Sequence, residues 1–232
     1  MIYITGDTHG GIDMEKLNKE NFPEQHRLTK QDYLIVAGDF GFIWQDNKEQ
    51  RQWLELFKEL NYTTLFIDGN HENFEQLNSF PVETWMGGKI HRIHDSILHL
   101  MRGQVFTIDD KTIFTFGGGT SIDRMFRRAY ISWWPEEMPS AAEYRVGLDN
   151  LEAHNWQVDC VISHTGPTKI IRALDEKFGA DALTEYLQEL SEKLQFEKWY
   201  FGHYHIDKFL QGKCPRKQSF RALYQDKVKL GE

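Results

Sequence analysis

Five short apolar runs of this chain are each followed at once by Asp, Asn or His residues. The runs are rich in β-branched and aromatic residues, a pattern that predicts strands buried on both faces. They end at positions 5, 37, 67, 163 and 201. Because the chemistry of an open α/β sheet collects beyond the carboxyl ends of its strands, we expect the polar residues at all five ends to converge on one site.

The pattern between these runs divides the chain into two kinds of organisation. Helical spacing over 12–21 and 48–60 alternates with the first three runs, which predicts a β-α-β-α-β unit with parallel strands and right-handed crossovers. The middle instead shows short strand-like runs with tight connections, so we expect the sheet to turn antiparallel or a second sheet to begin. These predicted strands cover 89–93, 97–101, 104–108 and 112–116, with a hairpin turn at 109–111.

Helix and strand signals continue to the end of the chain. A capping box at Ser140 and Glu143 predicts a helix through about His154, and another helix is predicted over 181–194. Strand-like segments follow at 206–210 and 219–224. The 232 residues contain no internal repeat or linker and suit one full hydrophobic core, so we predict a single domain over residues 1–232.

Composition and charge disfavour several classes of protein. The net charge of −8 argues against a chain-wide basic field for duplex nucleic acid, although a locally basic cleft stays open. Neither Cys160, inside an apolar run, nor Cys214 belongs to a disulfide framework or a CxxC metal motif. We find no signal sequence and no apolar stretch near the ~20 residues that a membrane span needs, so we expect a cytoplasmic protein without a membrane partner.

The residues at the strand ends are of the types that bind divalent metals. Two ligands two positions apart on an extended chain face the same side, so Asp7 with His9, and His203 with His205, can each grip one cation. Mixed imidazole and carboxylate ligands suit Mn²⁺, Fe, Zn²⁺, Ni²⁺ or Co²⁺ better than Ca²⁺, and ligand type alone does not choose among them. Mn²⁺ is our first expectation.

Counting charges indicates the reaction. Two divalent cations bring four positive charges, whereas the candidate ligands include two carboxylates; these ligands are Asp7, His9, Asp39, Asn70, His164, His203 and His205. The centre stays positive even with a bridging hydroxide, as an anionic phosphoryl group requires. Two metals ~3.5–4 Å apart can hold that hydroxide and polarise the attacking and leaving oxygens of an in-line displacement. We therefore predict phosphoester hydrolysis.

At this point the residues resemble the signatures of a known family. Asp7-Thr8-His9, Gly38-Asp39, Gly69-Asn70-His71-Glu72, His164 and Gly202-His203-Tyr204-His205 follow in that order, each after a predicted strand. They closely resemble the five signatures of the calcineurin-like metallophosphoesterases, over residues 1 to about 205. The resemblance implies an α/β fold, a four-layer α-β-β-α sandwich of two mixed sheets with the dinuclear metal site at the C-terminal strand ends.

The resemblance also implies a role for each residue. Asp7, His9 and His205 would hold the first metal and Asn70, His164 and His203 the second, with Asp39 bridging both. His71 matches the position that protonates the leaving oxygen or stabilises the phosphoryl transition state. The implied mechanism is attack on phosphorus by a hydroxide that bridges the metals, with Asp39 and His71 as catalytic residues.

Two departures separate the chain from the Ser/Thr protein phosphatase branch of this family. The second signature continues as Phe40-Gly41-Phe42 in place of Val-Asp-Arg-Gly, and Asp68 stands where those enzymes have an arginine. His71 thereby lacks its usual carboxylate partner, and a backbone carbonyl or another acid could orient it instead. Without such a partner we expect a weaker general acid and a bias toward substrates with good leaving groups.

Residues 117–140 contain the candidate substrate-binding side chains. Three glycines open this segment, and Arg124, Arg127 and Arg128 are followed by Trp133 and Trp134. One interpretation is a substrate-side loop in which an arginine grips a second phosphate or a nucleotide and a tryptophan stacks on a base. The other is a tryptophan-pinned loop with solvated arginines. The glycines match no phosphate-loop pattern and indicate a tight turn or a close backbone approach.

Together these patterns predict a phosphatase or phosphodiesterase with two divalent metal ions, acting on a phosphorylated small molecule or a nucleotide. A nuclease is the alternative within the same chemistry, and the acidic net charge disfavours it. A binding scaffold that keeps the fold without catalysis is the alternative from another class. The chain retains His71 and all of the candidate ligands, which disfavours that alternative as well.

Overall fold

A computed structural model describes residues 1–211 and 218–231 of the chain. Within these ranges two mixed β-sheets pack face to face, and helices cover their outer faces. The predicted four-layer α/β sandwich is therefore confirmed. Cys160 is buried and carries a free thiol, while Cys214 lies outside the described residues.

The described residues form thirteen strands and five α-helices. The strands are β1 (Ile2–Thr5), β2 (Tyr33–Val36), β3 (Thr63–Phe66), β4 (Val82–Trp85), β5 (Gly88–His94), β6 (Ile97–Leu100), β7 (Gln104–Ile108), β8 (Lys111–Phe116), β9 (Cys160–Ser163), β10 (Lys198–Phe201), β11 (Lys208–Gln211), β12 (Ser219–Ala222) and β13 (Lys227–Lys229). The α-helices are α1 (Lys48–Glu59), α2 (Phe74–Leu77), α3 (Ala141–Ala153), α4 (Thr168–Leu174) and α5 (Ala182–Lys193). Among these helices none is both long and apolar enough to cross a membrane.

Both sheets combine a parallel centre with antiparallel edges. The first sheet has the order β13-β1-β2-β3-β6-β5-β4, in which β1, β2, β3 and β6 run parallel. The second has the order β11-β12-β10-β9-β8-β7, in which β8, β9, β10 and β12 run parallel. After β6 the chain passes from the first sheet to the second. The antiparallel strands in the middle of the sequence are therefore divided, with β4 and β5 in the first sheet and β7 in the second.

The main apolar core lies between the two sheets. Ile4, Ile35 and Leu65 contribute to it from the first sheet, and Ile162 and Tyr200 contribute from the second. These strands are buried on both faces because helices cover the outer side of each sheet, which explains their continuous apolar runs. The core thereby fixes the carboxyl ends of strands from both sheets side by side.

The predicted helix over 12–21 is wrong. The structure has one short 3₁₀ helix in that range, Met14–Leu17, and another directly before it, His9–Gly11. The side chain of Lys16 turns inward and its ammonium donates to the carbonyls of Gly6, Asp7 and Tyr224. These tertiary hydrogen bonds override the helical spacing, and they tie the turn after β1 to the C-terminal part of the chain.

The other predicted helices are confirmed, and their caps explain their starting points. Ser140 and Glu143 form the reciprocal capping box at α3, and Asp181 caps α5. The hairpin turn between β7 and β8 is also confirmed, and both Asp109 and Asp110 take positive φ values there. The short helices α2 and α4 and the strands β4 and β13 are additions to the predicted elements.

Candidate metal centre

The five apolar runs form β1, β2, β3, β9 and β10, and the polar residues that follow them meet beyond the carboxyl ends of these strands. Three of the strands belong to the first sheet and two to the second. The structure thus brings together every side chain predicted as a ligand, namely Asp7, His9, Asp39, Asn70, His164, His203 and His205.

One group of these side chains consists of Asp7, His9 and His205, whose candidate ligand atoms all lie within 4.8 Å of one another. Asp7 Oδ2 is 3.2 Å from His205 Nε2 and 4.0 Å from His9 Nε2. Asp7 is fully buried, and its Oδ1 accepts a hydrogen bond of 3.0 Å from the backbone N–H of His203. The two ends of the sequence therefore meet at this carboxylate.

The second group consists of Asp39, His164 and His203, again within 4.8 Å of one another. His164 Nε2 lies 3.4 Å from Asp39 Oδ1 and 3.2 Å from the side-chain oxygen of Asn70. The other carboxylate oxygen, Asp39 Oδ2, lies 3.2 Å from His9 Nε2. Asp39 therefore stands between the two groups, with one oxygen directed to each.

These separations allow a direct test of whether the side chains fit divalent cations. Oxygen and nitrogen ligands bound at about 2.0–2.2 Å from one ion lie about 3 to 3.5 Å from each other. The pairs of His9 with Asp39, His205 with Asp7 and His164 with Asp39 lie at 3.2, 3.2 and 3.4 Å. The donor set, imidazoles with two carboxylates and one amide oxygen, suits first-row divalent metals. The residues present therefore fit two such ions.

The backbone at the strand ends is held in an uncommon conformation. His9, Asp39, His203 and His205 have φ values of 46°, 47°, 69° and 53°. The left-handed region costs free energy for side chains other than glycine and persists when the surroundings fix it. The carbonyl of Asp39 accepts backbone hydrogen bonds from Thr8 and His9 at 3.0 and 2.9 Å, which locks two of these turns together.

Two of the histidines have a fixed ring orientation. His9 Nδ1 lies 2.6 Å from Asp13 Oδ2, and His164 Nδ1 lies 2.9 Å from the carbonyl oxygen of Ala37. An acceptor on Nδ1 places the proton there and leaves Nε2 free to bind a metal. The hydroxyl of Tyr224 donates to the other oxygen of Asp13 at 2.8 Å, so the orienting carboxylate is itself held in place.

The electrostatics of the cluster are those of carboxylates buried among imidazoles. Burial favours the neutral acid, yet His164 and His9 hold the pKa of Asp39 well below its usual range. Burial opposes protonation of His164, but Asp39 and then Asp7 outweigh it and raise the pKa of His164 to about 9. Burial and the neighbouring His164 lower the pKa of His203 to about 4. The carboxylates are therefore ionised and available to cations.

The glycine-rich start of residues 117–140 passes directly over the candidate ligands. A Cβ atom at Gly119 would lie 3.0 Å from the His164 ring, 3.2 Å from Asn70 Oδ1 and 3.4 Å from the His203 ring. Asn70 Nδ2 also donates to Ser121 Oγ at 3.1 Å. The close backbone approach that the glycines indicate is therefore present, and it forms one wall of the site.

Arg127 links this segment to His71. Its Nη1 lies 3.4 Å from His71 Nδ1 and its Nη2 lies 3.2 Å from His71 Nε2. A neutral imidazole has one accepting nitrogen, so one contact is a hydrogen bond and the other a close approach. Among the described residues the side chain that meets both nitrogens of the His71 ring is thus a cation, which is neither the carbonyl nor the acid that could have oriented it.

Burial and the nearby Arg127 lower the pKa of His71 from its usual value, against the opposing effect of Asp39. The backbone N–H of His71 donates to Asp39 Oδ1 at 2.7 Å, which sets the position of the ring beside the cluster. His9, Asp39 and His71 also have candidate ligand atoms within 4.8 Å of one another. By this distance His71 belongs to the cluster, in a third group that shares His9 and Asp39 with the other two.

The other two arginines lie farther from the cluster. Arg124 Nε is 3.5 Å from Glu137 Oε1, and its guanidinium covers the ring of Trp133 at 5.5 Å. Arg128 is exposed, and its described hydrogen bonds run through its backbone to Ser132. Trp134 is buried and offers no open face for a base. Of the three arginines, Arg127 alone contacts a described residue of the site.

Three features of the site were missed in the sequence. Asp13 follows His9 at a spacing of four residues, a signal that could have identified the acceptor for its Nδ1. The contact of Arg127 with His71 and the carbonyl of Ala37 that orients His164 leave no local signal, because they join segments far apart in the sequence.

Comparison with known proteins identifies the relatives of this arrangement. The model of a family described as calcineurin-like phosphoesterase matches residues 1–207. A search of the curated proteins found no match.

Solved structures extend the comparison at low sequence identity. A phosphopantetheinyl hydrolase from Mycobacterium tuberculosis shares 17% identity with a TM-score of 0.47, over 96% of this chain and 89% of that one. A Staphylococcus aureus protein described as a 5'-nucleotidase, in complex with alpha-ketoglutarate, shares 16% identity with a TM-score of 0.52, over 97% of this chain and 48% of that one. A 5'-nucleotidase from Candida albicans shares 18% identity with a TM-score of 0.45, over 97% of this chain and 45% of that one. The chain spans about half the length of the two 5'-nucleotidase structures, and the second similarity supports the fold alone.

Proposed function

Because the chain belongs to the calcineurin-like phosphoesterase family and is a phosphoester-hydrolysing enzyme, we propose that it acts through two divalent metal ions on a phosphomonoester or phosphodiester. The observation that carries this proposal is the position of Asp39, whose two oxygens point to two separate groups of candidate ligands. A carboxylate so placed is suited to join two cations.

Each group would hold one ion. The first ion would be bound by Asp7, His9 and His205, and the second by Asn70, His164 and His203, with Asp39 shared. Bound divalent ions would supply an activated water as the nucleophile and polarise the phosphoryl oxygens. The orientation of His9 and His164 through their Nδ1 atoms supports Nε2 as the binding atom of each.

His71 and Arg127 would act together on the phosphoryl group. The guanidinium carries a permanent positive charge and lies against the His71 ring, beside Asp39. Such a pair can orient the phosphoryl oxygens and stabilise the negative charge that develops as the leaving oxygen departs. We therefore assign substrate contact to Arg127, and we assign Arg124 and Arg128 no more than a place in the loop that carries it.

The proposal also includes a metal, a class of substrate, a location and a domain organisation. We propose Mn²⁺ as the first metal to test, a small or nucleotide-like substrate, and a cytoplasmic location. We also propose that residues 1–232 form one domain with 117–140 as its substrate-side loop, a position supported by the contacts of Gly119 and Arg127 with the site.

The test starts from protein stripped of metal by a chelator and then loaded with Mn²⁺. A nitrophenyl phosphomonoester and a nitrophenyl phosphodiester measure the reaction class, and a panel of cyclic nucleotides, dinucleotides and single-stranded nucleic acid measures the substrate. We expect activity to need the metal and the substitution Asp39→Asn to lower kcat/KM by roughly 10³-fold, since several kcal/mol of transition-state stabilisation would be lost.

Asp32→Asn is the matched control. Asp32 precedes β2 as Asp39 follows it, and it pairs with the N-terminal amine at the far end of the strand. Its substitution should leave kcat/KM within about twofold. Full activity in stripped protein or in Asp39→Asn would refute the proposed mechanism, and a strong preference for single-stranded nucleic acid would assign the enzyme as a nuclease.

A further inference from the structure

A cavity of about 360 Å³ opens beside His9 and His71. Its walls include Phe42, Trp44 and Trp53, so aromatic rings line the space next to the proposed phosphoryl site. The volume falls at the lower end of the range for small-molecule sites, about 300–1,000 Å³. The cavity is distinct from the arginine-bearing loop, since Arg127 contacts His71 without lining it.

The two tryptophans are held in place before any ligand arrives. Trp44 packs edge to face on the buried Trp134, with ring centroids 5.1 Å apart, and its backbone N–H donates to Gln50 Oε1 at 2.8 Å. A Cβ at Gly11 would lie 2.9 Å from the Trp53 ring, so that ring rests directly on the backbone of the turn after β1. The aromatic walls are thus part of the folded structure.

Besides the imidazoles of His9 and His71, which belong to the candidate metal centre, the polar side chains of the cavity are amides and a carboxylate. Asn47, Gln50 and Glu49 lie on its lining, and among the described lining residues there is no lysine or arginine. Away from the candidate metal centre the cavity therefore offers no fixed cation to a second phosphate or to a nucleic-acid backbone. Aromatic walls with a few amide groups suit an uncharged planar group that stacks and makes a small number of hydrogen bonds.

We propose that this cavity binds the leaving group of the substrate and that the leaving group is a flat, uncharged aromatic moiety, such as a nucleoside or an aryl alcohol. The inference rests on the proposed function, because His71 is placed there at the leaving oxygen. A group attached to that oxygen and extending past His71 enters the cavity that Trp44 and Trp53 line. The specificity for the leaving group would then reside in this cavity rather than in a loop that binds a second phosphate.

The experiment measures binding rather than turnover. Naphthylmethylphosphonate and methylphosphonate are titrated into the Mn²⁺-loaded protein by calorimetry, and a nucleoside phosphonate forms a third arm. We expect the naphthyl compound to bind at least about tenfold more tightly than methylphosphonate, as stacking on an indole gives for a base. The relative affinity of the nucleoside phosphonate decides between a nucleoside and an aryl alcohol.

Variants of the two tryptophans test whether the cavity causes the preference for the naphthyl compound over methylphosphonate. Trp44→Leu should abolish it while the Kd of methylphosphonate stays unchanged, and Trp44→Phe should retain most of it. Trp133→Ala is the matched control, because Trp133 lies in the substrate-side loop under Arg124 and outside the cavity. If Trp44→Leu does not fold, Trp53→Leu repeats the test at the second tryptophan of the cavity.

The outcomes separate the two proposals. Equal affinity for the naphthyl and methyl compounds, or a preference that survives Trp44→Leu and Trp53→Leu or is lost in Trp133→Ala, would overturn the cavity assignment alone. Binding of neither phosphonate by the metal-loaded protein, together with no hydrolysis of nitrophenyl esters, would instead overturn the proposed function and the cavity assignment with it.

Discussion

Two buried clusters of carboxylates and imidazoles lie near the carboxyl end of β3, and they differ in what neutralises the acid. In one, Asp68 accepts from Arg102 at 2.6 and 2.8 Å and lies 3.1 Å from His99 Nε2. In the other, Asp7 and Asp39 face the imidazoles of the candidate metal centre. The pKa is lowered in each of these three carboxyl groups despite burial, which by itself raises it.

The identity of the counter-charge is what separates the two clusters. Arg102 is buried and always charged, so Asp68 is satisfied by the protein alone. The carboxylates of the centre are met by groups that can give up their protons and bind a cation instead. A buried aspartate beside a histidine is therefore not sufficient evidence of a metal site, since the presence or absence of an arginine decides it.

The Asp68 cluster also has a defined pattern of hydrogen bonds. If one proton lies on His99 Nε2 and is donated to Asp68, then His99 Nδ1 can accept from His91 Nδ1, which lies 2.9 Å away. In this arrangement each of the three ring nitrogens in the two contacts has a defined donor or acceptor role. This explains how the chain tolerates an aspartate where protein phosphatases have an arginine, because Arg102 supplies the missing charge from another strand end.

The largest expected effect comes from removing the fixed cation. Arg102→Leu should lower the free energy of unfolding by about 3 kcal/mol or more, since it leaves Asp68 buried without its counter-charge. Urea unfolding measures the change. Arg145→Leu, which removes an exposed partner of Asp149, is the control and should change stability by less than about 0.5 kcal/mol.

A double substitution tests whether the effect is the lost charge pair. Asp68→Leu combined with Arg102→Leu should be less destabilising than Arg102→Leu alone, because no unpaired charge then remains. A double variant that is less stable than Arg102→Leu would show that the two clusters do not differ in the way described.

The next effect concerns the candidate metal centre, whose carboxylates are paired with histidines and with no arginine among the described residues. Saturating Mn²⁺, at about 100 times its Kd, should raise the free energy of unfolding by about 2.7 kcal/mol, because the ion binds the folded state. Asp39→Asn should remove most of this stabilisation, whereas Asp68→Asn should keep it even though its metal-free stability is lower. Chemical unfolding with and without Mn²⁺ measures it, and an equal response in both variants would contradict the comparison.

The smallest effect is a pH dependence of the free energy of unfolding that arises from His91 in the Asp68 cluster. Burial, helped by His99, lowers the pKa of His91 from 6.5 to about 4, so the folded state keeps this ring neutral. Between these values the unfolded chain binds more protons, and stability falls as the pH is lowered through this window. We expect the wild type to lose about 2 kcal/mol more than His91→Gln between pH 7 and pH 5, measured by urea unfolding. Parallel pH curves for the two proteins would rule out this role of His91.

The strands and their polar ends could be predicted because both are local properties of the sequence. The continuous apolar runs before Asp7, Asp39, Asn70, His164 and His203 require burial on both faces, and each polar residue follows directly. The capping box of α3 is local as well. These signals were sufficient for the strands and for the convergence of the candidate ligands, whereas the sandwich of two sheets was expected from the family resemblance.

What could not be predicted depends on contacts between distant segments. The helical spacing of 12–21 yields to a buried Lys16 whose partners include a carbonyl more than two hundred residues away. The His71 ring meets Arg127 from a loop that has no regular pattern, and Arg102 reaches Asp68 from another strand end. The periodicity of a segment indicates which face of one helix or strand is buried. Each of these contacts instead joins two segments that are distant in the sequence.

The backbone at Gly119 has a consequence for directed evolution of this enzyme. Because a Cβ there would make unusually tight contacts with His164 and Asn70, the active clones of a saturation library at that codon should be enriched in glycine. Trp44 and Trp53 line the cavity beside His71 and are not among the nearest neighbours of Gly119. Libraries aimed at a new substrate are therefore best built at those two codons.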